Sequence, residues 1–175
     1  MQSIAPLENF QFLNERSLDI LARAIALAQG NFSLIVVNCN YRRLRQKILT
    51  SLVTKAGWQC REVWWRESQE TLYEKLQHLL QDGLPEYIPA LMCLGLEQTK
   101  TENLANLFLE ANLFRDRLKQ RFNCPLILWL NNRELQQFLI TAPELSNLAA
   151  PPLRFGWQPE ELLREVCQQG ERLFE

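Results

Sequence analysis

Three stretches of this 175-residue chain are apolar on consecutive positions: Leu34–Val37, Ala90–Leu96 and Pro125–Leu130. A strand that is apolar at every position must be covered on both faces. That is the state of a parallel strand sandwiched between helices. The segments between the runs have the other period, with apolar residues recurring every three or four positions. Leu18, Leu21, Ala22, Ile25 and Ala28 form such a stripe, closed by Gly30 and capped by Asn14 or Ser17. Leu44, Ile48, Leu52 and Ala56 form the next, ending at Gly57.

The rest of the chain continues the alternation. Gln59–Trp65 mixes exposed and apolar positions and reads as an edge strand. Ser68 is the expected cap of a helix carrying Leu72, Leu76, Leu79 and Leu80, with Gly83 and Pro85 ending it. One long helix is expected over Thr101–Phe122 and a short one over Arg133–Ile140. Pro143–Pro152 reads as a loop with a helical turn, and Leu153–Trp157 as a fifth strand. Pro159 suits the first position of a last helix, Glu160–Phe174. Residues 1–13 show no period and read as an arm. Strands and helices in this order force right-handed crossovers. The expected fold is therefore α/β: a single domain, 1–175, built as a three-layer sandwich on a mainly parallel five-stranded sheet, with residues 159–175 as the C-terminal helix.

Composition narrows the chemistry. The net charge of −1 supplies no overall attraction to nucleic acid or to an anionic membrane, so neither is an expected partner. The five cysteines, Cys39, Cys60, Cys93, Cys124 and Cys167, are far apart, form no C-x-x-C pair and accompany a single histidine. No metal site is expected from that set, and it suits a reducing cytoplasm. No secretory leader is recognisable, and no apolar run approaches the about 18 residues of a membrane span. His78 lies within a helix between Gln77 and Leu79, without the context of a general base.

In an α/β protein, the turn after the first central strand is where phosphate is usually bound. Here it reads Asn38-Cys39-Asn40-Tyr41-Arg42-Arg43. A P-loop needs glycines, so that backbone N–H groups can wrap the phosphates, followed by Lys and a hydroxyl. No glycine lies between Gly30 and Gly57. Asn tolerates the left-handed backbone, which makes a tight turn feasible. The basic residues Arg42, Arg43, Arg45 and Lys47 have two readings. In one they are a solvated face, with Arg45 turned inward to a carboxylate. In the other they are an anion site. Glu97, at the end of the third strand, is the first candidate partner of Arg45; its other reading is a catalytic base. Asn131 closes the fourth strand as a helix cap or a phosphate sensor. Trp64 and Trp65 are adjacent on a strand and point to opposite faces, so either is a candidate interaction surface.

Several of these segments together resemble a known family. Phe32–Tyr41, Leu44-Arg45-Gln46, Ala90–Glu97, Cys124–Asn131 and Leu139–Leu145 are similar to the degenerate P-loop, STAND/AAA-like ATPase domain of cyanobacterial proteins, where tetratricopeptide or WD40 repeats commonly follow. The resemblance implies a RecA/AAA-type core with strand one central. It aligns Walker A with Asn38–Gln46, Walker B with Leu94–Glu97 and the sensor with Asn131. The Walker A glycines, lysine and hydroxyl are missing, and so is the Walker B aspartate. The expectation is therefore a pseudo-ATPase with no catalytic residue and no cofactor, serving as a protein-interaction or scaffold module in a signalling or assembly complex. The alternative is a weak nucleotide-binding ATPase.

Overall fold

The computed structural model describes residues 7–57, 60–66, 71–81, 88–157 and 159–172. Five strands, β1 (Ser33–Cys39), β2 (Arg61–Trp64), β3 (Leu91–Leu94), β4 (Pro125–Leu130) and β5 (Leu153–Phe155), form one sheet in the order β2-β3-β4-β1-β5. Every pairing is parallel. The helices are α1 (Leu7–Leu27), α2 (Arg42–Ala56), α3 (Leu72–Gln81), α4 (Thr101–Leu113), α5 (Arg115–Arg121), α6 (Asn132–Thr141), α7 (Pro143–Ser146) and α8 (Pro159–Arg172).

Handedness assigns the helices to layers. The step from β1 to β2 runs one way along the sheet, and β2 to β3 to β4 to β5 runs back. Right-handed crossovers then put α2 on one face and α3–α7 on the other. The core divides accordingly. Ile35 and Val37 of β1 pack with Leu21 and Ile25 of α1 and Leu44, Ile48 and Leu52 of α2. Leu34 and Val36 pack with Leu76, Phe108 and Phe138 on the opposite side. Phe108 and Phe138 meet edge to face at 5.2 Å. The five-stranded sheet between two helical layers is the three-layer sandwich expected from the sequence, and β2 is one of its two edge strands.

Several boundaries differ from expectation. Helix α1 begins at Leu7, so residues 7–13 are helical and not an arm. Asn14 and Ser17 cap nothing; they tie α1 to β5 and to the loop after it. Asn14 exchanges two hydrogen bonds with the Gly156 backbone, at 2.7 and 3.1 Å, and the Ser17 hydroxyl donates to the Arg154 carbonyl at 3.0 Å. The long helix breaks at Phe114, whose ring stacks on Tyr73 at 5.7 Å. The helical turn within Pro143–Pro152 is α7, and β5 stops at Phe155. The capping positions expected at Ser68, Gly83 and Pro85 lie outside the described residues. Thr71 caps α3, its hydroxyl accepting from the Glu74 N–H at 3.0 Å while the Glu74 carboxylate accepts from the Thr71 N–H at 2.9 Å.

Strand β3 ends two residues earlier than expected because Gly95 turns left-handed, at φ 87°. A Cβ there would lie 2.7 Å from the Trp65 carbonyl oxygen. The chain then makes one 3-10 turn, Leu96–Gln98, which presents Glu97. Gly95→Ala combines a strained backbone with a collision against the Trp65 backbone. It should cost about 1–3 kcal/mol of stability, read as a lowered urea midpoint at unchanged slope.

Candidate functional site

Neighbouring strands β1 and β4 send their following helices, α2 and α6, to opposite faces. Where a parallel sheet reverses in this way, a crevice opens at the carboxyl ends of the strands. The crevice holds a cavity of about 220 Å³ lined by Cys39, Asn40, Arg42, Arg45, Glu97, Gln98, Asn131 and Glu134. Drug-sized ligands occupy roughly 300–1,000 Å³.

An ion pair bridges the crevice. Arg45 lies in the first turn of α2 and is 7% exposed. Its guanidinium grips both oxygens of Glu97, Nη2 to Oε1 at 2.8 Å and Nη1 to Oε2 at 3.3 Å. The Trp64 ring covers the same guanidinium, its centroid 5.8 Å from Cζ. Burial alone pushes the Glu97 carboxyl up. The hydrogen bonds from Arg45, the backbone bond and the positive charges of Arg45 and Arg42 outweigh it and hold Glu97 below the ordinary carboxylate value.

The turn between β1 and α2 departs from expectation. No described residue other than glycine has a positive φ, so Asn38 and Asn40 do not supply a left-handed turn. They supply hydrogen bonds between strand ends. The buried Asn38 amide donates to the Leu130 carbonyl at 3.2 Å and to Asn132 Oδ1 at 3.1 Å. Asn40 Oδ1 accepts from the Asn132 N–H at 2.8 Å.

Asn131 caps α6. Its Oδ1 accepts from the Glu134 N–H at 3.0 Å, and Glu134 Oε2 accepts from the Asn131 N–H at 2.8 Å. Glu134 was missed in the sequence reading, though the N-x-x-E spacing of a capping box marks it. It is 1% exposed, and its Oε1 has no hydrogen-bond partner. Burial raises the Glu134 carboxyl above its ordinary value; the Asn131 N–H lowers it, and the nearby charge of Glu97 adds to the rise.

The basic residues separate. Arg42 is exposed at the mouth of the cavity, and Arg43 is half-buried. Lys47 turns away, its ammonium 4.4 Å from the centre of the Trp157 ring. The two tryptophans separate as well. Trp64 is 40% exposed and donates from Nε1 to Glu62 at 2.9 Å. Trp65 is 3% exposed and packs in the core with Leu72 and Leu76, so it cannot serve as an interaction surface.

Acid–base work needs a carboxyl that can reach a substrate. Both oxygens of Glu97 are held by Arg45, and Glu134, with Oε2 on the Asn131 N–H and Oε1 3.7 Å from the Arg133 guanidinium, is shut off from solvent. The buried Cys39 thiol is raised by burial, the wrong direction for a nucleophile. Among the described residues no group of His, Cys, Asp and Glu could hold a metal ion, and no helix is long and apolar enough to cross a membrane.

Compared with protein-family models and with curated proteins, the chain matches none.

Two measurements probe the crevice. Arg45→Ala and Glu97→Ala should each cost about 1–3 kcal/mol, and the double variant less than their sum, in a double-mutant cycle by urea unfolding. The pH dependence separates the two carboxyls. Glu97, with a depressed pKa, adds stability above its unfolded pKa that is lost as pH falls through the folded one. Glu134, with a raised pKa, acts in reverse: its contribution is complete below the unfolded value and lost as pH rises through the folded one. Glu134→Gln keeps the acceptor for Asn131 and removes the titration. It should therefore gain on wild type between pH 4 and pH 7, as measured by denaturant unfolding at the two values.

Proposed function

We propose that this chain is a non-catalytic, P-loop-derived interaction module, acting as a scaffold in a cytoplasmic assembly or signalling complex. The observation that carries the proposal is the Arg45–Glu97 pair. It lies at the strand ends where a P-loop protein holds its nucleotide, and it engages the arginine and the carboxylate that a nucleotide site would use. Strand one lies inside the sheet between β4 and β5, as the resemblance to the STAND/AAA-like domain implies. The cavity left beside the pair is small for a nucleotide. Gly95 and Leu96 stand where the resemblance expects the Walker B aspartate, and a side chain at Gly95 would strike the Trp65 carbonyl just after β2.

A protein partner fits better than nucleic acid. Arg45 is neutralised and Lys47 rests on Trp157, so the basic cluster offers no continuous track for phosphates. Trp64 stands exposed on the edge strand, where aromatic side chains commonly anchor protein contacts.

The alternative, a weak nucleotide-binding ATPase, draws on Arg42, exposed at the mouth of the cavity beside the N-terminus of α2. Isothermal calorimetry with MgATP separates the two. No saturable heat is expected up to about 1 mM, which corresponds to roughly −4 kcal/mol. A dissociation constant below that value, abolished by Arg42→Gln, would replace the scaffold with the nucleotide-binding reading.

A further inference from the structure

Strand β2 leaves one edge of the sheet open. It pairs with β3, and no described strand pairs with its outer side. The Arg61 N–H donates to the Ala90 carbonyl at 2.8 Å, and the Trp65 N–H to the Leu94 carbonyl at 2.6 Å. Alternate residues of a strand turn their backbone groups to opposite sides. Arg61, Val63 and Trp65 therefore bond β3, while the N–H and C=O groups of Glu62 and Trp64 point away from the sheet.

The side chains alternate as well. Val63 and Trp65 are buried, and Glu62, Trp64 and Arg66 are exposed. A spacing of two puts these three on one face of the strand. Trp64 thus has an acid two residues before it and a base two residues after it. Glu62 accepts from Trp64 Nε1 through Oε2, which leaves Oε1 without a hydrogen bond. Arg66 makes no hydrogen bond or ion pair among the described residues. Arg45, the cation beneath the Trp64 ring, is already matched by Glu97. Arg61, the remaining exposed charge of β2, belongs by the same spacing to the other face.

We propose that the occupant of this edge is β2 of a second copy of the chain, running antiparallel across a two-fold axis at Trp64. Residues with outward backbone groups form the bonded pairs, so Glu62 meets Glu62, Trp64 or Arg66 of the second copy. The first register sets like charges directly opposite each other, which is destabilising. The second leaves both charges unmatched. The third stacks Trp64 against Trp64 of the second copy and places Glu62 against Arg66 twice. The segment Glu62-Val63-Trp64-Trp65-Arg66 is thus its own complement: reversing its direction exchanges acid and base about the central tryptophan. The interface uses the same patch on both copies and closes at two chains. It names what Trp64 meets, and it does not depend on what the strand-end crevice holds.

Sedimentation velocity tests the proposal across about 1–100 µM, a range that spans weak and moderate dimers. Wild type should move from one to two chain masses as concentration rises. Glu62→Arg alone, or Arg66→Glu alone, sets like charges opposite each other at both ends of the pairing. Each should weaken self-association about tenfold or more. The exchange variant, Glu62→Arg with Arg66→Glu, restores the match and should recover the two-chain species. An equimolar mixture of the two single variants should do the same, since one then carries only bases and the other only acids at the paired positions. Recovery by either route shows that the charge match, and not folding, controls association. A wild type that stays at one chain mass or grows past two, a single reversal that associates as wild type does, or the failure of both rescues would overturn the β2–β2 pairing.

Discussion

The Arg45 guanidinium is buried in the first turn of α2, where the helix dipole opposes a positive charge. A buried cation is tolerated only with a partner of good geometry. Much of the strand-end structure supplies that partner. Gly95 turns left-handed so that the 3-10 turn can lift Glu97 to the guanidinium. Trp64, on the next strand, covers the guanidinium with its ring and closes its own donor on Glu62. The charge then acts on the remaining carboxyl. Glu97 must stay ionised to match Arg45, and its negative charge helps to keep the buried Glu134 from ionising.

The layer structure was legible because burial on two faces leaves a mark that sequence carries directly. Leu34–Val37 and Pro125–Leu130 are apolar without interruption, and both are interior strands. The alternation around Val63 likewise identified β2 as an edge. Boundaries were less legible where tertiary bonds override local cues. Asn14 and Ser17 resemble helix caps in sequence, but their side chains bond β5 and the loop after it, more than 130 residues away. The break at Phe114 coincides with the stack of its ring on Tyr73 of another helix, a contact that no local pattern announces.

The site was legible in its charged pair and obscure in its neutral parts. Arg45 stood inward of its basic neighbours on the helical wheel, and Glu97 was the carboxylate at the end of an adjacent strand. Charge neutrality joins them. The Asn38, Asn40 and Asn132 bonds depend on register between β1 and β4, set by pairing across the sheet. Local sequence made a left-handed turn feasible at Asn38 and Asn40, and the cross-strand bonds use them in ordinary backbone instead. Glu134 lies in the first turn of a helix, a place that suits an acidic residue whether exposed or buried; its burial against the crevice has no local sequence mark.

Strand β1 illustrates what this topology demands during synthesis. Its side chain at Asn38 bonds to a carbonyl 92 residues further along the chain, and β5, its other neighbour, follows later still. A chain leaving the ribosome thus exposes an apolar strand with two unpaired edges while most of the domain is still to be made. Non-local pairing of this kind slows folding, and unpaired apolar edges invite association with other chains. The α1–α2 layer is the only cover available in that interval: it lies on one face of β1, and its residues are translated immediately before and after the strand.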